Sequence, residues 1–133
     1  MTRVLADTHV LIWDALAPRR LSRAAARALA QANEEGGVLV SDISLWEMAM
    51  LIQKKRVQVD ADCQSFITLV LQANNIHVRP ITPQIAALSV QLPHSINQDP
   101  ADRLILATAI AESAPLLTAD GNLRASELVA TVW

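Results

Sequence analysis

The chain is short of several things, and each shortage closes off a class of protein. Cysteine occurs once in 133 residues, at Cys63, which excludes an internal disulfide framework and fits a reducing cytoplasm. With no histidine near it in a motif, Cys63 reads as a helix packing residue rather than a nucleophile. Long apolar runs are missing: the stretch from Leu104 to Ala111, interrupted by Thr108, falls far below the roughly 20 residues that a bilayer span needs. No secretory leader is expected, because Asp7 and His9 break the apolar stretch that begins at Val4. Charge of one sign is not in excess either. A net charge of −2 makes the whole molecule a poor electrostatic trap for nucleic acid, so any polyanion binding has to be local. Basic residues do gather, at Arg19-Arg20, Arg23 and Arg27 and at Lys54-Lys55-Arg56, where solvated helix faces and ends are the ordinary explanation. There is no repeat, low-complexity tract or linker. At 52% hydrophobic and 18% charged, residues 1–133 are expected to form one domain that buries roughly two-thirds of its unfolded surface.

What is present alternates. Arg3 to Ala6 reads as a short buried strand, and Asp7-Thr8 caps a helix that runs through Leu16 and is stopped by Pro18. Ser22 opens an alanine-rich helix to about Asn33, with Ala26, Leu29 and Ala30 on one face and Gly36-Gly37 ending it. Val38 to Val40 is a second strand. Ser41-Asp42 then opens a helix to roughly Lys54 in which Ile43, Trp46, Met50 and Leu51 recur at helical spacing. A helix from Asp60 to near Asn74-Asn75 turns Phe66, Leu69 and Val70 inward, and Ile76 to Ile81 is a third strand. Thr82 caps a helix through Val90, Pro93 to Gln98 is a loop, and the capping acid and proline of Asp99-Pro100 open a helix to about Ser113. Leu116-Leu117-Thr118 is a fourth strand, Asp120-Gly121 a turn and Leu128 to Val132 a fifth strand. Strands alternating with helices predict an α/β fold whose parallel sheet is covered on both faces.

Acid-bearing motifs fall where strands hand over to helices or where helices begin: Asp7-Thr8, Ser44-x-x-Glu47, Asp99-Pro100-Ala101-Asp102 and Thr118-x-Asp120. Singly, each has an ordinary role. Asp7 and Asp99 can cap helices, Glu47 can complete a capping box with Ser44, Asp102 suits a first helical turn, and Asp120 precedes a glycine in a turn. Jointly they point to a site. Ligands of open α/β sheets bind at the carboxyl ends of the strands, and Asp7, Asp120 and the Ser41 to Glu47 segment directly follow predicted strands. Asp99 and Asp102, three apart at a helix start, share one side. Two carboxylates about 4 Å apart repel by roughly 4 kcal/mol at an effective dielectric near 20, so such a cluster holds protons or a cation. Oxygen-only donors suit Mg²⁺ or Mn²⁺. His9, His77 and His94 lack a zinc-binding spacing and read as structural or surface residues. A divalent ion so held can bind a phosphodiester, activate water and stabilise the leaving oxygen, which makes hydrolysis of a nucleic-acid backbone the natural reaction class. Arg103 and Arg124 are candidates to hold the phosphate, or else outward, solvated residues. A non-catalytic RNA-binding or partner-docking module is the alternative of a different class. A phosphatase or phosphoacceptor domain also gathers acids at strand ends, but neither Lys54 nor Lys55 follows a late strand as that chemistry asks.

The segments VLADTHVLIW, SLWEMA, DPADRLILATA and LLTAD, in this order and at these separations, resemble the PIN-domain nucleases, and among them the VapC-like toxins of toxin–antitoxin pairs. The resemblance runs from Val4 to Asp120. It implies a Rossmann-like three-layer α/β/α sandwich with a mostly parallel central sheet and a cytoplasmic, Mg²⁺- or Mn²⁺-dependent endoribonuclease. It also implies an RNA substrate, a small cognate antitoxin that docks on the toxin and blocks its site, and a homodimer. Carried over by motif, the catalytic and metal-binding acids are Asp7, Glu47, Asp102 and Asp120, with Asp99 an added ligand or the cap that aims its helix. Ser44, Thr8 and Thr118 are supporting hydroxyls. The chain departs from the family pattern at Ala101, where an aromatic residue is common, and at Leu51, where a lysine is common. Trp13 and Trp46 are then core residues or part of the antitoxin groove.

Overall fold

Residues 3–133 are described by a computed structural model. Short apolar segments alternate which face they present, and that alternation builds two cores from one sheet. In β1 (Val4–Ala6), Val4 and Ala6 face one way and Leu5 the other; in β2 (Val38–Ser41), Val38 and Val40 oppose Leu39; in β4 (Leu116–Leu117), Leu117 opposes Leu116. With β3 (Ile76–Arg79) and β5 (Thr131–Val132) these form a five-stranded, wholly parallel sheet in the order β3-β2-β1-β4-β5.

The first face is covered by α1 (Thr8–Leu16), α2 (Arg23–Glu34), α3 (Ile43–Gln53) and α4 (Cys63–Ala73), whose Val10, Leu29, Met48, Leu51, Phe66 and Val70 complete one core. On the second face α6 (Pro100–Glu112) and α7 (Gly121–Ala125) supply Ile105, Leu106 and Leu123, with Leu92 and Ile96 beside them and α5 (Pro83–Gln91) packed on α6. This is the three-layer α/β/α sandwich expected above. Parallel strands buried on both faces read as continuous apolar runs, which is why the bounds of β1, β2 and β4 follow the sequence closely while the half-exposed edge strands are shorter than expected.

Several boundaries and faces differ from the sequence expectation. The buried side of α2 is Ala25, Leu29 and Ala32 rather than Ala26, Leu29 and Ala30; alanines on every side leave little apolar contrast to fix the rotation. Leu69 and Trp46 face solvent, 60% and 58% exposed, while Ser44, Glu47, Met48 and Leu51 form the inward side of α3. The helix expected from Asp60 begins at Cys63, because Asp62 is the cap whose carboxylate accepts the Ser65 N–H at 2.8 Å. Asp120-Gly121 opens the short helix α7 rather than a bare turn, and β5 is confined to Thr131–Val132. Gly37 ends α2 with φ of +99° and donates to the Ala32 carbonyl at 2.7 Å; a Cβ there would lie 2.5 Å from the His77 ring. Only glycine fits.

Candidate active site

The strand order places the acids. β1 and β4 are neighbours, so the residues leaving their carboxyl ends, Asp7 and Thr118, meet although 111 positions apart: the Thr118 hydroxyl donates to Asp7 Oδ2 at 2.7 Å. Asp7 Oδ1 accepts the Thr8 N–H at 2.8 Å, and the Asp120 N–H donates back to Thr118 Oγ1 at 3.0 Å. β2 lies on the other side of β1 and delivers α3, whose Ser44 hydroxyl is 2.8 Å from that of Thr8. One turn on, Glu47 enters the same space, buried, with its Oε1 lacking any hydrogen-bond partner.

The start of α6 completes the ring. Asp99 caps it, accepting the Asp102 N–H at 3.1 Å, and Asp102 points into the cleft from the first turn. Carboxylate oxygens of Glu47, Asp99 and Asp102 lie within 4.8 Å of one another. Asp7 and Asp120 line the same cleft, about 370 Å³, together with His9, Val10, Trp13 and Ala119. All five sequence-nominated acids therefore converge. Thr118 and the Thr8 amide stand behind them and hold the Asp7 carboxylate, while Ser44 holds the Thr8 hydroxyl.

The two arginines do not join them. Arg103, nominated as a phosphate contact, is buried with its guanidinium fully engaged: Nε donates to the Ser89 carbonyl at 2.9 Å, Nη2 to Leu92 at 2.8 Å, and Nη1 to Ile96 and Asn97 at 3.1 and 3.3 Å. It ties the α5–α6 loop to α6 and has no face left for a phosphate. Arg124 is exposed on α7 and does not line the acid cleft. Adjacency in sequence misled here, because consecutive helical residues point about 100° apart.

Crowding shifts the acids in one direction. Burial pushes the Asp7 carboxyl above its ordinary range, opposed by the Thr118 hydroxyl, with the charge of Asp120 adding to the rise. Burial likewise raises Glu47, against the Thr8 hydroxyl, and the charge of Asp7 raises it further. Asp102 is pushed up to about 7, by burial first and then by the charges of Asp7, Asp99 and Asp120, while the Asn97 amide opposes. A pocket that penalises its own anions, with one carboxylate oxygen buried and unpartnered, is suited to a hard cation with oxygen ligands.

The profile of the PIN domain family matches residues 4–127. The chain belongs to the PIN-domain family. It is 41% identical over 135 residues to Ribonuclease VapC22 of Mycobacterium tuberculosis, with 100% of each chain covered. Among solved structures, VapBC2 from Rickettsia felis, bound to a DNA fragment from its promoter, aligns with a TM-score of 0.74 at 16% identity, covering 98% of this chain and 97% of that one. A toxin–antitoxin complex from Klebsiella pneumoniae gives 0.65 at 23% identity over 96% of both chains. At such identities the solved structures speak for the fold alone, the layered PIN architecture described above.

Within this PIN domain, sequence reasoning overlooked a pair of asparagines. Asn97 Nδ2 donates to Asp102 Oδ2 at 3.0 Å, its Oδ1 accepts the Asp99 N–H at 3.0 Å, and its own N–H is held by Asn122 Oδ1 at 2.9 Å. The string Asn97-x-Asp99-Pro100 carries the signal, an asparagine folding back on the backbone two residues on, just ahead of a helix start. His9, taken as structural or surface, lies in the cleft wall with its ring 5.8 Å from that of Trp13.

Proposed function

We infer that this PIN domain is a metal-dependent endoribonuclease of the VapC type, the toxin of a toxin–antitoxin pair that acts on RNA in the cytoplasm. The convergence of Asp7, Glu47, Asp99, Asp102 and Asp120 on one cleft, with Glu47 Oε1 buried and unpartnered, carries this reading. Similarity over the whole of this chain to Ribonuclease VapC22 supports RNA as the substrate class. The binding-only alternative is disfavoured, because crowded, buried acids raise the cost of folding and have no use in a module that does not hold a cation. The phosphoacceptor alternative lacks its lysine: none lines the cleft among the described residues.

The same five acids would hold Mg²⁺ or Mn²⁺, an ion that supplies charge to a scissile phosphate and lowers the pKa of bound water. The chain's own residues do the positioning. Thr118 and the Thr8 amide fix the two oxygens of Asp7, the Thr8–Ser44 hydroxyl pair backs Glu47, and Asn97 fixes Asp102. A phosphodiester laid over such a site meets oriented carboxylates and needs little rearrangement of protein groups during reaction.

Beside the acids lies an apolar recess of about 400 Å³ lined by Ile43, Trp46, Met50, Pro100 and Ala101. Exposed Trp46 suits it as a docking surface for the antitoxin, which would then cover the mouth of the site. The decisive experiment is cleavage of total cellular RNA by the purified protein with Mn²⁺. Wild type is expected to cut and Asp7→Asn to lose at least about a hundredfold of the rate. Uncut RNA with wild type, or equal cutting by the variant, would overturn the reading.

A further inference from the structure

Next to the acid cleft lies a larger groove of about 610 Å³ that shares His9, Trp13, Glu47 and Asp99 with it and extends along α1 to Arg20 and Arg56. Its lining changes sign along its length, carboxylates at one end and guanidinium groups at the other. Arg20, in the 3₁₀ turn of Pro18–Arg20, lays its guanidinium over the indole of Trp13, with Cζ 4.4 Å from the ring centroid. That cation–π contact keeps a long exposed side chain at the groove wall. Trp13 is itself seated against Trp133, ring centroids 5.6 Å apart, and against His9. Neither Arg20 nor Arg56 has a carboxylate within ion-pair distance among the described residues. In a chain of net charge −2, these two cations are left unneutralised beside a site suited to a phosphodiester.

We propose that this groove is the subsite for the single-stranded stretch of RNA flanking the scissile phosphate, an assignment that rests on the ribonuclease reading above. The Arg20–Trp13 stack takes an unpaired base and Arg56 takes a backbone phosphate. A paired A-form helix hides the flat faces of its bases, whereas an unstacked base lies readily on an aromatic ring or a guanidinium plane. An acidic peptide would satisfy the arginines but not the stack, and it has no reason to lead into the acids, which a scissile phosphate must reach.

The test uses the full chain and a fluorescein-labelled, mixed-sequence single-stranded RNA, its binding followed by polarisation in EDTA so that nothing is cut. Arg20→Ala and Arg56→Ala are each expected to raise Kd about tenfold, and Arg56→Ala to flatten the log–log salt dependence by about one. Arg19→Ala, on the same turn but outside the groove, is expected to bind like wild type. Melting temperatures should be shared by all four proteins, since these arginines are exposed. If wild type cuts RNA with Mn²⁺ while the groove variants bind as tightly as wild type, the groove assignment fails and the ribonuclease reading stands. If wild type neither binds nor cuts RNA, both fall together. Binding of a poly-glutamate peptide lost in Arg20→Ala, with RNA affinity unchanged, would reassign the groove to a protein partner.

Discussion

Burial first, and then the charges of Asp7, Asp99 and Asp120, set the titration of Asp102. Its folded carboxyl is pushed up to about 7 from an ordinary 3.8, so the metal-free fold holds this proton more tightly than the unfolded chain does. The resulting stabilisation is fully present below about pH 4 and is lost as pH rises through 7. Asp7 and Glu47 are shifted in the same direction. In EDTA the protein is therefore expected to melt at a lower temperature near pH 8 than near pH 5.5, and Asp102→Asn should flatten that slope. Saturating Mn²⁺ should raise the melting temperature most at the higher pH, where the acids are charged and free to bind it. Calorimetry across the range checks both trends; a wild type equally stable at both pH values without metal would mean that the carboxylates are not crowded.

The start of α6 concentrates the positioning. One loop, held by Arg103 to four backbone carbonyls and by Asn97 to Asn122, aims Asp99 and Asp102 together. Arg103→Ala strands those buried carbonyls and is expected to cost about 3 kcal/mol of stability, measured as a fall in denaturation midpoint. Had this arginine served the phosphate instead, activity would fall with stability intact. Asn97→Ala removes a contact to one ligand rather than the ligand itself. Its expected signature is a 10–100-fold weaker apparent Mn²⁺ affinity, about the usual loss when a ligand's hydrogen-bond partner is removed, with maximal rate recovered at high metal concentration. The capping logic of this helix was readable from Asp99-Pro100, because an acid cap and a first-turn proline act within a few residues. The side that α3 buries was not. Its polar inward residues Ser44 and Glu47 look like surface, and its exposed Trp46 looks like core, because that helix packs a site rather than a plain apolar seam.

Across the molecule, the parallel sheet and its layers could be read from the alternation of strands and helices, and the five acids from their places at strand ends and helix starts. Long-range pairing could not. That β1 sits between β2 and β4 follows from contacts distant in sequence, and only that order brings Thr118 to Asp7. The edge strands were found but drawn too long, since half-exposed β3 ends at Arg79 rather than Ile81 and β5 keeps only Thr131–Val132 of the expected Leu128 to Val132. Assembly belongs at this level too. We propose that this PIN domain dimerises, so light scattering should return twice the 14.4 kDa chain mass for the purified protein, and a single-chain mass would end that proposal.

The adjacency of β1 and β4 has a consequence during synthesis. Asp7 leaves the ribosome 111 positions ahead of its hydroxyl partner Thr118, and its neighbour Asp120 follows later still. A chain that has been made only as far as α3 carries Asp7 and Glu47 without the remaining acids, so the cleft cannot be assembled until α6 and β4 have followed β1 and β2 out of the ribosome.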